Sequence, residues 1–267
     1  MTEKSSAKVI VVFDIDGVVR DVSGSYRRAI ADTVEYFTTQ AYRPTPLDID
    51  QLKSEGVWNN DWEASQELIY RYFETQEQTR EQLQLDYNAI VAFFQSRYRG
   101  PDPNNLTGYI CNEPLLLQPS YLEQLTQAGI AWGFFSGATR TSANYILEKR
   151  LGLQSPVLIA MEDAPGKPDP TGLLATVRQL ENGIEQRLAV VYVGDTVADM
   201  YTVEKAQALD SSRTWIGVGV LPPHVQETAA HNDAYGKTLL AAGAVVVLSN
   251  VQELTPRQIQ QLVSSFA

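Results

Sequence analysis

Six short apolar runs rich in β-branched residues recur along this 267-residue sequence, and each has the length of a strand rather than of a helix. Continuous apolar runs are typical of strands that are buried on both faces, as in a parallel sheet. Segments with helical spacing separate the later runs, and such alternation implies right-handed crossovers between parallel strands. The predicted strands are 9–13, 130–135, 157–160, 188–193, 214–218 and 244–248. The sequence therefore predicts an α/β fold built on a parallel sheet.

One long block interrupts this alternation. Between residues 20 and 114 no comparable strand occurs, and the amphipathic spacing there predicts helices over 25–37, 62–76 and 81–98. We interpret the block as an all-helical domain inserted after the first strand, which leaves 1–19 and 115–267 for the sheet-bearing core. The helices predicted within that core are 141–151, 171–181, 197–209 and 223–242.

Composition excludes several classes of protein. A net charge of −11 without a basic cluster argues against a nucleic-acid partner, because binding to a phosphate backbone depends on concentrated positive charge. Cys111 is the only cysteine, which excludes an internal disulfide and predicts a packing residue. The first apolar run is too short for a signal-peptide core or a membrane span, so we expect a cytoplasmic protein without a membrane partner.

The first predicted strand ends in two acids. Asp14 and Asp16 lie two residues apart at the carboxyl end of an extended run, where open α/β sheets bind ligands, and Gly17 permits an unusual turn after them. Such a pair favours a cation, and it also suits a nucleophilic carboxylate beside a general acid and base. An ordinary Asp-Gly turn would explain the same residues taken alone.

Three further strand ends carry polar groups. Ser136 and Gly137 precede a predicted helix, where a hydroxyl and backbone amides form an anion site or, more simply, a helix cap. Lys167 follows a glycine and precedes a proline. The lysine is either an ammonium held in place for phosphate binding or an ordinary solvated loop residue. Asp195 and Asp199 lie one helical turn apart and can face one point, although helix capping explains them too.

The four signals occur in one order, each after a predicted buried strand, and this conjunction favours a single phosphate and metal site. The carboxylates of Asp14 and Asp195, with the backbone carbonyl of Asp16, are oxygen ligands of the kind that magnesium takes. We therefore expect Mg²⁺ as the cofactor and a small phosphorylated molecule as the partner.

The pattern Asp-x-Asp-Gly, strand-terminal Ser, Lys and Gly-Asp-x-x-x-Asp resembles the haloacid dehalogenase superfamily over nearly the whole chain. Members similar to this chain insert a helical cap between the first two motifs, where 20–114 falls. The resemblance implies a Rossmann-like core with an inserted all-helical cap domain and a phosphatase mechanism through an aspartyl phosphate. Valine at position 18, where many members carry threonine, and the long cap depart from the pattern and put substrate assignments by analogy in doubt.

The resemblance also implies a role for each motif residue. Asp14 would attack phosphorus, while Asp16 would protonate the leaving oxygen and then activate water. Ser136, Gly137 and Lys167 would bind phosphoryl oxygens. The metal ligands implied are Asp14, Asp16 and Asp195, supported by Asp199.

Substrate recognition is expected from the inserted domain. A predicted loop in this domain suits recognition of hydroxyls or an amine, and it consists of Trp58, Asn59, Asn60, Asp61 and Trp62. A helix cap at Asn60 or Asp61 explains the same residues equally well. Arg20 and Arg140 are further candidate contacts to a second anionic group.

The function expected from the sequence is hydrolysis of a small phosphorylated metabolite by a magnesium-dependent phosphatase. A phosphomutase of the same superfamily would use the same aspartate pair and return the phosphoryl group to its substrate. A non-catalytic relative that binds a small molecule is the alternative from another class, and the presence of all the motif residues weighs against it.

Overall fold

The computed structural model of the protein describes residues 9–58, 60–102, 105–181 and 187–266. The chain divides into two compact units. The first, here called the core unit, comprises the described residues up to Asp21 and from Leu115 onward. The second, the inserted unit, is Val22–Pro114. Each unit is described by itself below.

The core unit is built on a six-stranded sheet in which every neighbouring pair of strands is parallel. The strands are β1 (Val9–Phe13), β2 (Ile130–Phe135), β3 (Leu158–Ile159), β4 (Ala189–Gly194), β5 (Trp215–Val220) and β6 (Val246–Leu248). Their order across the sheet is β3-β2-β1-β4-β5-β6. The predicted Rossmann-like α/β fold is confirmed, and all six predicted runs form strands.

Ten α-helices lie in the remaining described chain. In chain order they are α1 (Tyr26–Phe37), α2 (Pro46–Ser54), α3 (Asp61–Thr75), α4 (Tyr87–Tyr98), α5 (Pro119–Gln127), α6 (Arg140–Asn144), α7 (Thr171–Leu180), α8 (Val197–Leu209), α9 (Ala229–Ala241) and α10 (Pro256–Phe266). Helices α1 to α4 belong to the inserted unit, and α5 to α10 belong to the core unit.

Strand β1 lies at the centre of the sheet between β2 and β4. All five of its residues are buried, which explains its unbroken apolar sequence. Ile10 and Val12 belong to a core cluster that also contains Leu173 and Val177 of helix α7. The burial of β1 fixes the position at which Asp14 leaves the sheet.

Two predicted helices are shorter than expected because capping residues interrupt them. The predicted 223–242 segment splits into a 3₁₀ turn, Pro223–Gln226, and α9, whose first turn is capped by the Thr228 hydroxyl. The predicted 81–98 helix starts only at Tyr87, where the Asp86 carboxylate accepts hydrogen bonds from two backbone amides. Helix α6 continues as a π-helical segment, Tyr145–Arg150, over the rest of the predicted 141–151 helix.

The inserted unit is helical in all its regular elements within the described residues. Helix α1 packs against α3 and α4. Tyr26 stacks on Tyr98 with ring centroids 4.1 Å apart, and Tyr36 stacks on Phe93 at 4.2 Å. Aromatic pairs of this kind stabilise helix packing beyond the burial of their area.

None of the described helices is long and apolar enough to cross a membrane.

Candidate active site

The site is built where β1 and β4 end. Phe13 pairs with Val193 in the parallel register, and the Asp14 amide donates to the Val193 carbonyl at 2.8 Å. Asp14 therefore leaves the sheet beside Gly194 and Asp195. The carboxyl ends of these central strands bring together the two acids that the sequence places in separate motifs.

Lys167 joins two of the acids. Its Nζ lies 2.8 Å from Asp14 Oδ1 and 2.7 Å from Asp199 Oδ1. The ammonium also lies over the rings of Phe135 and Tyr192, 5.2 and 5.5 Å from their centroids. Burial by itself lowers the pKa of Lys167, but attraction from Asp14 and Asp199 outweighs it, so the net pKa is raised. The lysine is therefore a fixed positive charge at the site.

Asp199 is held at the start of α8 by its neighbours. Thr196 and Asp199 form a capping box, in which Thr196 Oγ1 donates to Asp199 Oδ2 at 2.6 Å and the Thr196 amide donates to the same oxygen at 3.0 Å. The Tyr192 hydroxyl donates to Asp199 Oδ1 at 2.9 Å. Burial alone raises the pKa of Asp199, but Lys167 and these hydrogen bonds bring the net pKa below its usual value. Asp199 is therefore an ionised carboxylate that orients the lysine.

Asp14 and Asp195 have the opposite electrostatics. Burial, partly offset by Lys167, raises the pKa of Asp14 to about 7, and Asp199 and Asp16 add to the increase. Burial and repulsion from Asp199 and Asp14 hold the pKa of Asp195 well above its usual range. Both carboxylates are destabilised as anions, and a nearby cation would relieve that destabilisation.

The donor set fits a divalent cation. Asp14, Asp195 and Asp199 each offer a carboxylate oxygen, and these oxygens all lie within 4.8 Å of one another. Hard cations such as Mg²⁺ prefer oxygen ligands of this type. Asp199 already accepts from Tyr192 and Thr196, so Asp14 and Asp195 are the carboxylates better suited to hold the ion.

Position 17 requires a glycine for two reasons, its backbone conformation and the lack of room for a side chain. Its φ is +74°, and a Cβ built there would lie 2.0 Å from Asp195 Oδ2. Any side chain would strain the backbone and collide with that carboxylate. The glycine after the first acid pair thus allows the two strand ends to approach closely.

Asp16 points to a different partner. Arg20 contacts Asp16 Oδ1 through Nε at 2.6 Å and Nη2 at 2.5 Å. The Asp16 side chain is 29% exposed, whereas that of Arg20 is completely buried. Arg20 was predicted as a contact to a second anionic group of the substrate, and in the structure its guanidinium binds the second acid of the first motif instead.

Ser136 follows β2 at the same edge of the sheet. Its amide donates to the Ile159 carbonyl at 3.0 Å, and its hydroxyl accepts from the Ala138 amide at 3.1 Å. Ser136 is buried, and Gly137 beside it is exposed. The hydroxyl is thus fixed by its own turn, next to an accessible glycine.

Arg140 lies on the surface of the core unit. Its guanidinium pairs with Asp163, and its amide donates to the Glu162 carboxylate at 2.8 Å. Because the amide at the start of α6 already has a carboxylate partner, that amide is not part of an open anion site. Arg140 as a substrate contact stays a prediction.

The described residues of the recognition loop predicted in the inserted unit make contacts with neighbouring residues of the same unit. Asn60 caps α3, accepting from the Trp62 amide at 2.9 Å, and Asp61 pairs with Lys53. Trp58 Nε1 donates to Glu55 Oε2 at 2.8 Å. Asn59 lies outside the described residues. The capping interpretation accounts for Asn60, and recognition by these residues stays a prediction.

Two contributors to the site were missed by sequence reasoning. Thr196 had a readable signal, since Thr followed three residues later by Asp before a helix is close to the capping-box pattern. Tyr192 had none, because a tyrosine within an apolar strand predicts only a core residue. Its function at Asp199 depends on the side of the sheet to which it points.

Val18, the departure from the superfamily pattern, lines a cavity of about 320 Å³ in the core unit. The other walls include Val220 at the end of β5, Leu221 directly after it, and Ser249 and Asn250 after β6. A valine here makes this wall apolar where threonine would add a hydroxyl.

Comparison with known proteins agrees with this geometry. The family model for haloacid dehalogenase-like hydrolases matches residues 9–207. That match spans the first motif, Lys167 and both acids of the last motif. The chain belongs to the haloacid dehalogenase-like hydrolase family.

Individual relatives differ in how much they share. The chain is 32% identical over 249 residues to an imidazoleglycerol-phosphate dehydratase of Phytophthora nicotianae, a match that covers 90% of this chain and 50% of that protein. The chain thus spans about half the length of that relative.

Several solved structures share the fold. Phosphatase Tt82 from Thermococcus thioreducens has a TM-score of 0.63 at 24% identity, covering 79% of this chain and 92% of its own. A phosphonoacetaldehyde hydrolase-like protein from Oleispira antarctica has a TM-score of 0.69 at 14% identity, covering 98% and 96%. At these identities the likeness shows the fold alone.

Proposed function

We propose that this hydrolase is a magnesium-dependent phosphatase that acts on a small phosphorylated metabolite through an aspartyl-phosphate intermediate. The observation that supports it most is the buried cluster in which Lys167 joins Asp14 and Asp199 next to Asp195. This cluster combines a nucleophile, a fixed cation and an oxygen site for a metal. Phosphoryl transfer needs mainly such positioning and charge stabilisation.

In the proposed mechanism, Asp14 attacks phosphorus with a carboxylate oxygen and the bond to the leaving oxygen breaks. Asp16 gives a proton to that oxygen and then takes one from the water that cleaves the aspartyl phosphate. Lys167, Ser136 and the Gly137 amide bind phosphoryl oxygens. Mg²⁺, held by Asp14, Asp195 and the Asp16 carbonyl, would neutralise charge between the nucleophile and the phosphoryl group.

The inserted unit is proposed to serve as the cap of this phosphatase. Its position in the sequence, between the first motif and Ser136, is the position at which similar members of the superfamily insert a cap. Trp58, Asn59, Asn60 and Asp61, with Arg140 of the core unit, remain the residues proposed for recognition. A small molecule, rather than nucleic acid, is the proposed partner because the net charge is −11.

The test is phosphate release from a panel of phosphate monoesters, first with Mg²⁺ and then with EDTA. Sugar phosphates, phosphorylated acids, amino-alcohol phosphates and nucleotides belong in it. Imidazole-bearing phosphates belong there too, because a relative is named for imidazoleglycerol phosphate. A preferred substrate whose hydrolysis stops with EDTA supports the proposal. Isomerisation without phosphate release would indicate a phosphomutase, and a folded protein that turns over nothing would indicate a binding protein.

The nucleophile has its own test. We expect Asp14→Asn to lower kcat by at least about a thousand-fold, because removal of a nucleophile eliminates the covalent pathway. Thermal unfolding without metal should show a fold at least as stable as wild type, since the substitution removes one of several crowded negative charges. Substantial residual hydrolysis by the variant would contradict the mechanism.

A further inference from the structure

Arg20 is a completely buried arginine that contacts an acid proposed for the chemistry. Its side chain is 0% exposed, and both its Nε and its Nη2 lie within 2.6 Å of Asp16 Oδ1. Burying a guanidinium is costly unless carboxylates or carbonyls compensate it. The pairing with Asp16 therefore offsets part of the cost of burying this arginine.

The backbone around Arg20 is fixed as well. The Gly17 amide donates to the Arg20 carbonyl at 2.9 Å, and the Arg20 amide donates to the Ile15 carbonyl at 3.2 Å. Arg20 also forms an antiparallel bridge with Leu115, at the point where the chain re-enters the core unit. The base of this side chain is thus tied both to the turn that carries Asp16 and to a second chain segment.

Nε and Nη2 of the guanidinium both lie against the same oxygen of Asp16, Oδ1. When a rigid donor holds one oxygen of a carboxylate, the orientation of the second oxygen is fixed as well. The Asp16 side chain is 29% exposed, so it remains reachable from outside the core. This arrangement suits an acid that must exchange a proton at Oδ2 with a leaving oxygen and then with water.

We propose that Arg20 is a positioning residue that aims Asp16 for its two proton transfers. The inference rests on the proposed phosphatase function, and it gives Arg20 a role without contact to substrate. In the first transfer, a carboxylate oxygen of Asp14 bonds to phosphorus and the bond from phosphorus to the leaving oxygen breaks, while the proton on Asp16 Oδ2 moves to that oxygen. In the second, a water oxygen bonds to phosphorus, its proton moves to Asp16 Oδ2, and the bond from Asp14 to phosphorus breaks.

The two steps depend differently on Asp16 when the leaving group is good. p-Nitrophenolate leaves without a proton, so formation of the aspartyl phosphate from p-nitrophenyl phosphate does not need Asp16 as an acid. Hydrolysis of the aspartyl phosphate still needs it as a base. A misaimed Asp16 therefore slows the second step and makes the intermediate accumulate.

The experiment is rapid-mixing kinetics of p-nitrophenyl phosphate with Mg²⁺ on wild type, Arg20→Met and Arg20→Lys. We expect Arg20→Met to release about one equivalent of p-nitrophenolate in a burst whose rate stays within about threefold of wild type. Its steady-state rate should fall at least about tenfold. If Arg20→Met fails to fold, Arg20→Lys provides the test, because it keeps the positive charge. Arg20→Lys should show the same pattern, an unchanged burst rate and a lower steady-state rate, with a smaller fall in the steady-state rate.

Two further variants separate positioning from a merely structural role. Arg213 is also a buried arginine of the core unit, paired with Glu181 at 2.7 Å and Asp210 at 2.9 Å. Arg213→Met should lower stability without changing the ratio of burst to steady-state rate. In an Asp16→Asn background, Arg20→Met should change the steady-state rate by less than about twofold, because the residue through which it acts is already disabled.

Equal falls of the burst and steady-state rates, or no change in either, would overturn the positioning role while leaving the phosphatase intact. An additional large loss in the Asp16→Asn background would overturn it too. A wild-type protein that releases no p-nitrophenolate and no phosphate from the panel would instead overturn the proposed function, and the inference with it.

Discussion

The core unit and the inserted unit each contain a network of ion pairs around a buried carboxylate, and the two networks differ in charge balance. In the core unit, Lys167 lies between Asp14 and Asp199, with Asp195 close by. In the inserted unit the buried carboxylate of Glu67 receives two arginines, Arg71 at 2.7 Å and Arg80 at 2.8 Å. These arginines also pair with Glu55 and Glu74, whose side chains are exposed to solvent.

The pKa shifts follow that balance. Burial alone raises the pKa of Glu67, but Arg80 and Arg71 bring the net pKa below its usual value. For Asp14 and Asp195 the net pKa is raised, since burial and like charges outweigh one lysine. The buried carboxylate of Glu67 is therefore compensated within the fold, whereas the carboxylates of the core-unit cluster outnumber their one lysine, and a further cation would offset the excess. This difference distinguishes a structural ion network from a cluster suited to a ligand.

Removing Lys167 is expected to have the largest effect on stability. Lys167→Met leaves Asp14 and Asp199 without their shared cation in a buried place, and breaking such a group costs about 3 to 5 kcal/mol. Urea unfolding in EDTA measures this cost. Adding Mg²⁺ should recover part of it, because the ion screens the same carboxylates.

Lys53→Met is the matched control in the inserted unit. Lys53 pairs with Asp61 but is 29% exposed, so its loss should cost less than about 1 kcal/mol and should not respond to Mg²⁺. Similar costs for the two lysines would contradict the contrast drawn between the units.

Magnesium binding gives the next effect. At a free Mg²⁺ concentration a hundred times its Kd, the wild-type free energy of unfolding should rise by about 2.7 kcal/mol. Asp195→Asn should lose most of this rise, because it removes a carboxylate ligand, and it should not be less stable than wild type in EDTA. Asp210→Asn, which affects pairs with Arg187 and Arg213, should retain the rise. A full rise in Asp195→Asn would show that the ion binds elsewhere.

The fold was predictable from sequence where burial dictates the pattern. Strands covered on both faces must be apolar throughout, so all six runs were visible. Helices α2 and α5 were not predicted because they have only nine residues each and few apolar positions. Helix α10 was also not predicted, although Ile259, Leu262, Val263 and Phe266 have helical spacing, so its signal was present and was missed. The break before α9 depends on the Thr228 cap, a local hydrogen bond that a periodicity argument does not weigh.

The site was predictable to the extent that it depends on strand ends. Asp14 and Asp195 come together because parallel strands end at one edge, which follows from the sequence pattern. The partner of Arg20 was not predictable, since a residue four positions after Asp16 can point to solvent, to substrate or back to Asp16. Only the turn from Ile15 to Arg20, fixed by three backbone bonds to the Ile15 carbonyl, sends it back.

Glu67→Gln tests the inserted unit's network directly. The amide keeps the shape of the side chain but loses its charge, and the partner arginines are 40% and 46% exposed and can be solvated. We therefore expect a loss of about 1 to 2 kcal/mol, below that of Lys167→Met. Denaturation should give the same loss with Mg²⁺ and with EDTA, and a loss that depends on metal would contradict the separation of the two networks.

Asn60→Ala has the smallest expected effect on stability. It sharpens the comparison most, because it tests whether a polar residue of the inserted unit also binds the substrate. Loss of the cap on α3 should cost about 0.5 to 1 kcal/mol. If the proposed recognition role holds, kcat/KM should fall far more for the preferred metabolite than for p-nitrophenyl phosphate, which lacks the groups that a recognition loop would bind.

Asp86→Ala separates the two roles of Asn60, since Asp86 caps α4 in the same unit and was not proposed for recognition. Its stability loss should be similar, and its ratio of kcat/KM between the two substrates should equal that of wild type. If Asn60→Ala leaves the ratio unchanged as well, the residue is a helix cap alone. The inserted unit's network and loop would then both be structural, and substrate selection would have to be sought at other residues.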